Sequence, residues 1–266
     1  MGLLKDGAGT LILTGLNTYA GATVVRDGTL SLSTVDGDTT GSGRLVNSSL
    51  TVESAGLLTG NGTVDNAVTN EGTFVPGNGE YGSAFTAGAY TQQGDASRLI
   101  LGLDASGDHT SLNAATLQFN GGRIVLVSSR DYYRNRSVTY NFSDFISGAV
   151  STAGFDWNTD VVAGWSNGGT SALGEWTSPT LTAGVTVGQD AGGTPTSLTF
   201  TTTRAANAYS RYGATTNDRE VGAVFDQSAG AVSGDAANLV EAIDFSASDG
   251  SVLKDRAHFQ IGRAHV

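Results

Sequence analysis

An all-β solenoid with a short α-helical segment near its C-terminal end is the fold class this sequence predicts, and three observations predict it. A strand-and-turn unit recurs: Gly9-Thr10-Leu11 returns as Gly28-Thr29-Leu30, with Gly62-Thr63-Val64 and Gly72-Thr73-Phe74 as variants, and repetition at this scale marks a stacked-rung architecture. The 266 residues include 38 glycines and 3 prolines, which suits many short strands joined by tight turns rather than a proline-rich disordered chain. After Arg204 the pattern changes, and apolar residues take up helical spacing.

Taken in order, Gly7-Ala8-Gly9 reads as a tight turn and Thr10–Thr14 as an apolar, β-branched strand. Gly15-Leu16-Asn17 reads as the next turn, Ala22–Val25 as a strand, Arg26-Asp27-Gly28 as a turn and Thr29–Leu32 as a strand. Residues 35–43 form a polar loop. Asp36-Gly37-Asp38 within it reads as a plain turn, because the nonapeptide period of a calcium-binding repeat is absent. Short strands follow at 49–52, 57–59, 63–64, 67–69 and 73–75, with Gly or Asn between most of them. Gly77-Asn78-Gly79-Glu80-Tyr81-Gly82 has the spaced glycines of a dinucleotide-binding loop, but that motif must open a helix inside a strand-helix-strand unit. The residues after it, Ala84-Phe85-Thr86 and Gly88–Thr91, are strand-like, so the segment reads as a rung corner. Arg98–Leu103, Ala115–Phe119 and Arg123–Val127 are further strands; the Asn120-Gly121-Gly122 joint suits either a corner or a hairpin. Strands become irregular from Phe155 to Thr203, where Leu181–Val187 and Ser197–Thr203 alternate as half-buried strands do. Beyond Arg204, Asn217 with Glu220 suggests a capped helix. Asp235 suggests the cap of a second, with Leu239, Val240, Ile243 and Phe245 as its apolar stripe, and Ser251–Gln260 a third. These amphipathic helices need an apolar partner, and the open end of the solenoid is a candidate.

The stretch Gly7–Leu30 resembles the short repeat in the passenger regions of bacterial autotransporters, the type V secretion proteins. Residues 60–78 resemble the rungs that end such passengers, residues 88–127 their autochaperone-like region, and residues 205–260 the helical linker before their membrane barrel. The resemblance implies a right-handed parallel β-helix. It divides the chain into repeat rungs (1–42), a C-terminal β-helix with the autochaperone-like region (43–204) and the linker (205–260). The remaining Ile261-Gly262-Arg263-Ala264-His265-Val266 reads as one translation frame of a sequencing adapter. Because the chain opens in mid-repeat, Met1 is expected to be an internal start. The resemblance further implies display at the surface of a Gram-negative cell, with the protein's own outer-membrane β-barrel and its assembly machinery as partners.

Composition narrows the chemistry. A formal net charge of -11 repels phosphate backbones, so nucleic acid is not an expected partner. The absence of cysteine excludes disulfides and thiolate metal sites. No apolar run is long enough to span a bilayer as a helix. Asp108, His109 and Ser111 have the residue types of a nucleophile, base and acid, but neighbours on one strand alternate faces and cannot assemble a triad. Arg130, Arg134 and Arg136 with Tyr132, Tyr133 and Tyr140 read as stacking and ion pairing at a loop. Trp157, Trp165 and Trp176 are expected in the core near the end of the solenoid. No catalytic, cofactor-binding or metal-binding residue is expected. The expected role is structural: a stalk and autochaperone-like part of a passenger. Two rivals remain: an adhesin that binds a host or glycan ligand through its Tyr and Trp residues, and a polysaccharide-active enzyme, which needs clustered carboxylates, Arg or Lys on one solvent-facing sheet.

Overall fold

The computed structural model describes residues 1–33, 43–77, 81–165, 178–213 and 215–245. Within them the chain winds into a parallel β-helix with three faces. On the first face, β1 (Leu3–Lys5) pairs with the first half of β4 (Thr23–Leu32), followed by the first half of β6 (Leu50–Gly60). The second halves of β7 (Thr63–Asn70), β9 (Ala84–Gln93), β11 (Ser111–Asn120) and β14 (Ile146–Thr152) continue it. The second face stacks β2 (Thr10–Leu13), the later parts of β4 and β6, β8 (Thr73–Pro76), β10 (Arg98–Leu103), β12 (Arg123–Ser128) and β15 (Val161–Trp165). The third carries β3 (Leu16–Asn17), β5 (Arg44–Leu45) and the first halves of β7, β9, β11 and β14.

Parallel register turns each inward position into a column, because the partner of any residue lies one rung away. On the second face Leu30, Leu58, Phe74, Leu99, Ile124 and Val161 follow one another in register. All are buried, and each such side chain contributes about 1.5–3 kcal/mol through burial. Polar residues join the interior where the first face turns into the second. The Asn70 amide donates to the Tyr90 hydroxyl at 3.2 Å and to the Arg98 carbonyl at 3.0 Å. One rung on, the Gln92 amide donates to the carbonyls of Gly121 and Arg123 at 3.1 and 3.2 Å. At the first rung the Lys5 ammonium fills the same corner, donating to the carbonyls of Gly7 and Asp27. These side chains satisfy carbonyls that the corner removes from the ladder.

Several expected turns are bends within continuous strands. Arg26-Asp27-Gly28 lies inside β4, where the register against β6 shifts between Val25 and Asp27. β6 likewise runs unbroken through Ser54-Ala55-Gly56, and β7 through Asp65-Asn66 with a shift between Val64 and Ala67. An extra residue in one strand turns the ladder without ending it, which alternation in sequence does not reveal. Gly28 allows one such bend: its φ is +71°, and a Cβ there would lie 2.3 Å from the Gly7 carbonyl oxygen. Leu16–Asn17, expected as a turn, is the short strand β3. The Asn120-Gly121-Gly122 joint is a corner, not a hairpin, since β11 pairs with β9 and β14 while β12 pairs with β10 and β15.

Past β12 the architecture changes. β13 (Arg136–Asn141), β17 (Pro195–Arg204) and β16 (Leu181–Gln189) form a separate antiparallel sheet in that spatial order. Its inner face and α1 (Phe142–Phe145) join the aromatic end of the core. Phe119, Phe142, Phe155 and Trp157 meet there with ring centroids 4.9–5.5 Å apart. Beyond the sheet come a 3-10 turn (Ser210–Tyr212), α2 (Thr216–Ser228) and α3 (Asp235–Asp244). The cap of α2 is Thr215 with Asp218, not Asn217 with Glu220: Thr215 Oγ1 accepts from the Asp218 amide at 3.2 Å and the Asp218 carboxylate accepts from the Thr215 amide at 2.9 Å. Gly234, not Asp235, is the N-cap of α3, and Asp235 is its first helical residue. The helices pack chiefly on a small cluster of their own, with Ala208, Tyr209, Ala229, Val240 and Ile243 buried together. The solenoid end is instead covered by the antiparallel sheet and α1; from the helical segment, Phe245 reaches it, 5.4 Å from Trp165. Leu239, expected in the buried stripe, is 38% exposed. Asp36-Gly37-Asp38, the expected third helix at 251–260 and residues 261–266 lie outside the described residues.

Candidate functional site

The most fully built polar site lies where the helical segment meets the capping sheet. Arg204 ends β17 and Asp244 ends α3. Their side chains are 3% and 0% exposed and form an ion pair. Arg204 also donates to the Tyr209 hydroxyl at 2.9 Å, to the Tyr133 carbonyl at 2.8 Å and to Asn135 Oδ1 at 3.0 Å. The other oxygen of Asp244 accepts from the hydroxyls of Thr180 and, at 2.7 Å, Tyr209. Ser178 donates to the Asp244 carbonyl at 2.6 Å. Tyr209 is anchored a second time, as the Asp226 carboxylate on α2 accepts its backbone N–H at 2.7 Å. Burial of the Tyr209 hydroxyl, and secondarily the Asp244 charge, pushes its pKa well above the usual tyrosine value.

A buried pair stabilises only when nearly every donor and acceptor is satisfied, and this one is. Its chemistry is that of a latch: the charges face each other, and no open face meets solvent. Sequence reasoning missed it. A signal was present in Asp244, an acid in the last turn of a helix, where the helix dipole disfavours negative charge. Such a residue requires a cation from elsewhere in the fold.

The residues singled out from sequence are dispersed. Both ring nitrogens of His109 face backbone carbonyls, Gly107 at 3.0 Å and Asp144 at 3.1 Å, and its ring lies 4.3 Å from Phe145. The Asp108 amide donates to Asp104 Oδ1, and Ser111 opens β11 opposite Ala84. No triad forms among them. Trp157 and Trp165 are 5% and 2% exposed, so neither offers a ring to a sugar; Trp176 lies outside the described residues. The Arg–Tyr group divides its work: Tyr133 packs on Trp165 at 4.9 Å, Tyr140 on Phe145 at 5.5 Å, and Tyr132 lies under the Arg204 guanidinium at 5.9 Å. Arg136 donates to the Ala105 carbonyl at 3.2 Å, beside a shallow cleft between the last rungs and the capping sheet. Among the described residues, no three His, Asp or Glu side chains gather as metal ligands would, and no helix is long and apolar enough to cross a membrane.

Residues 3–32 match the family model of the passenger-associated-transport-repeat. An extracellular serine protease of Serratia marcescens is 43% identical over 79 residues, which are 29% of this chain and 7% of that protein. The chain thus spans a small fraction of the length of this relative.

Proposed function

Because the chain carries a passenger-associated transport repeat and belongs with autotransporter passengers, we infer that it is a structural, non-catalytic part of such a passenger. In this reading it folds as it emerges at the cell surface and displays the regions upstream of it. Its partners are a C-terminal outer-membrane β-barrel and the machinery that assembles the barrel. Residues 88–127 act as the autochaperone-like template, and residues 205–260 as the linker.

The observation that carries the reading is the dense end of the solenoid beside the helical segment, where the aromatic cap and the Arg204–Asp244 latch are both buried. Nucleating a solenoid is costly, whereas each added rung gains an in-register neighbour. A chain that leaves the membrane C-terminal part first therefore folds most readily if that part is the densest. The protease named in the relative is not carried over: the residues matched are a small share of it, and His109 here is held between two carbonyls.

The test fuses this chain to an autotransporter barrel in a Gram-negative host and follows surface exposure with external protease. Phe145→Ala, which opens the capped end, is expected to slow or stall passenger exposure while the barrel still inserts. Secretion at the unaltered rate would refute the template role.

A further inference from the structure

Where the first face turns into the second, two buried amides stand in the middle of an apolar column. In register, the inward positions there run Val25, Val52, Asn70, Gln92 and Phe119. All are 0% exposed. Burial alone therefore asks for an apolar side chain at 70 and 92, as on either side of them. The two amides also act alike. The Asn70 amide reaches one rung forward to the Arg98 carbonyl at 3.0 Å, and the Gln92 amide one rung forward to the Arg123 carbonyl at 3.2 Å. Asn70 is the register partner of Gln92, and Arg98 is the register partner of Arg123. The same clamp is thus built twice, one rung apart. Lys5, at the head of that column, reaches forward in the same way to the Asp27 carbonyl at 2.8 Å.

Two further features tie these clamps together. The Tyr90 hydroxyl accepts from the Asn70 amide at 3.2 Å and donates to Gln92 Oε1 at 3.0 Å, which couples one clamp to the next. Gly122 leaves the space that the Gln92 amide fills, since a Cβ there would lie 2.9 Å from Gln92 Nε2 and 2.1 Å from Ser97 Oγ. A parallel rung can slip by two residues and still keep its apolar side chains inward, because side chains alternate with period two. Such a slip moves each carbonyl about 6.8 Å along the strand. The amides then lose their acceptors and stay buried. Stability in the native register is a separate matter. Asn70 Oδ1 meets no donor among the described residues, and a buried amide in an apolar seam sets register at a cost in stability.

We propose that Asn70 and Gln92 are register pins: they select which residue of one rung meets which residue of the next, and contribute little to stability. The proposal is independent of the passenger reading. Because the chain has no cysteine, engineered thiols report register without background. Thr69 and Thr91 are half-buried register partners on β7 and β9. Ala89 and Gln93 flank Thr91 on the same side of the strand, each about 8 Å from Thr69 in the native register. Thr69→Cys is combined in turn with Thr91→Cys, Ala89→Cys and Gln93→Cys, and each chain is refolded from urea and treated with a short thiol cross-linker. With both amides present, only the 69–91 pair is expected to bridge. With Asn70→Leu and Gln92→Leu, circular dichroism and the urea midpoint are expected to stay near those of the parent, while a displaced pair bridges as well. Bridging of the 69–91 pair alone in the folded double variant, whatever its stability, would overturn the proposal. So would displaced bridging with both amides present. Should the double variant not fold, Gln92→Met keeps the side-chain length without the amide and is read in the same way: displaced bridging supports the pin, and native bridging alone overturns it.

Discussion

Arg204 and Asp244 show how much one pair of residues can decide. Removing one partner leaves the other buried and uncompensated, so Arg204→Ala is expected to cost about 3–5 kcal/mol. The loss should appear first at the docked helices: amide exchange in α2 and α3 accelerates while the solenoid stays protected. Equal loss of protection throughout would mean that the latch holds the whole fold. Tyrosines give a second prediction. Burial raises the pKa of Tyr90, Tyr133 and Tyr209 above the usual value, which is about 10. Below that pH their hydroxyls are protonated in both folded and unfolded chains, so these groups add no pH dependence there. Above it the unfolded chain releases protons that the folded one retains, and stability falls as pH rises. Alkaline titration should therefore show tyrosinate absorbance that rises together with unfolding; independent titration of these tyrosines in a folded chain would contradict it.

Capping and bending decide matters at the level of the element. The reciprocal Thr215–Asp218 cap serves a helix whose side chains are mostly half-buried or exposed. Thr215→Ala should cost about 1 kcal/mol and appear as fraying of α2, with little change in the main melting transition. Gly28 is less forgiving. The bend in β4 places its backbone against Gly7, so Gly28→Ala must distort a positive φ and a contact of 2.3 Å at once. It should lower stability by more than about 1 kcal/mol, read in urea melts; a neutral effect would mean the first rung yields without cost. The strands were legible in sequence because β-branched and apolar residues alternate along them. Their continuity through Arg26-Asp27-Gly28 was not, because a bulge is a relation between two strands and leaves no periodicity in one.

For the whole molecule, the columns of inward residues make stability a sum over neighbouring rungs. Native-state hydrogen exchange should therefore be graded, fastest in β1, β2 and β3, slowest in β10, β11 and β12, where strands have partners on both sides. A single uniform opening energy would show instead that the solenoid unfolds as one unit. The same architecture keeps charge out of the interior: Arg26 meets Asp6 and Glu53, and Arg44 meets Asp65, on the outer surface, while the interior corners use neutral amides or the Lys5 ammonium held by carbonyls.

By itself the sequence determined the repeating strand-turn grammar, the burial of Trp157 and Trp165 and the switch to helices beyond Arg204, because each depends on local spacing and residue type. Only the tertiary structure decided the three-faced course of the strands, the antiparallel sheet that covers the solenoid end, the Thr215 cap in place of Asn217, and the pairing of Arg204 with Asp244. Those features join residues far apart along the chain, and which donor meets which acceptor follows from rung register and packing rather than from any short run of residues.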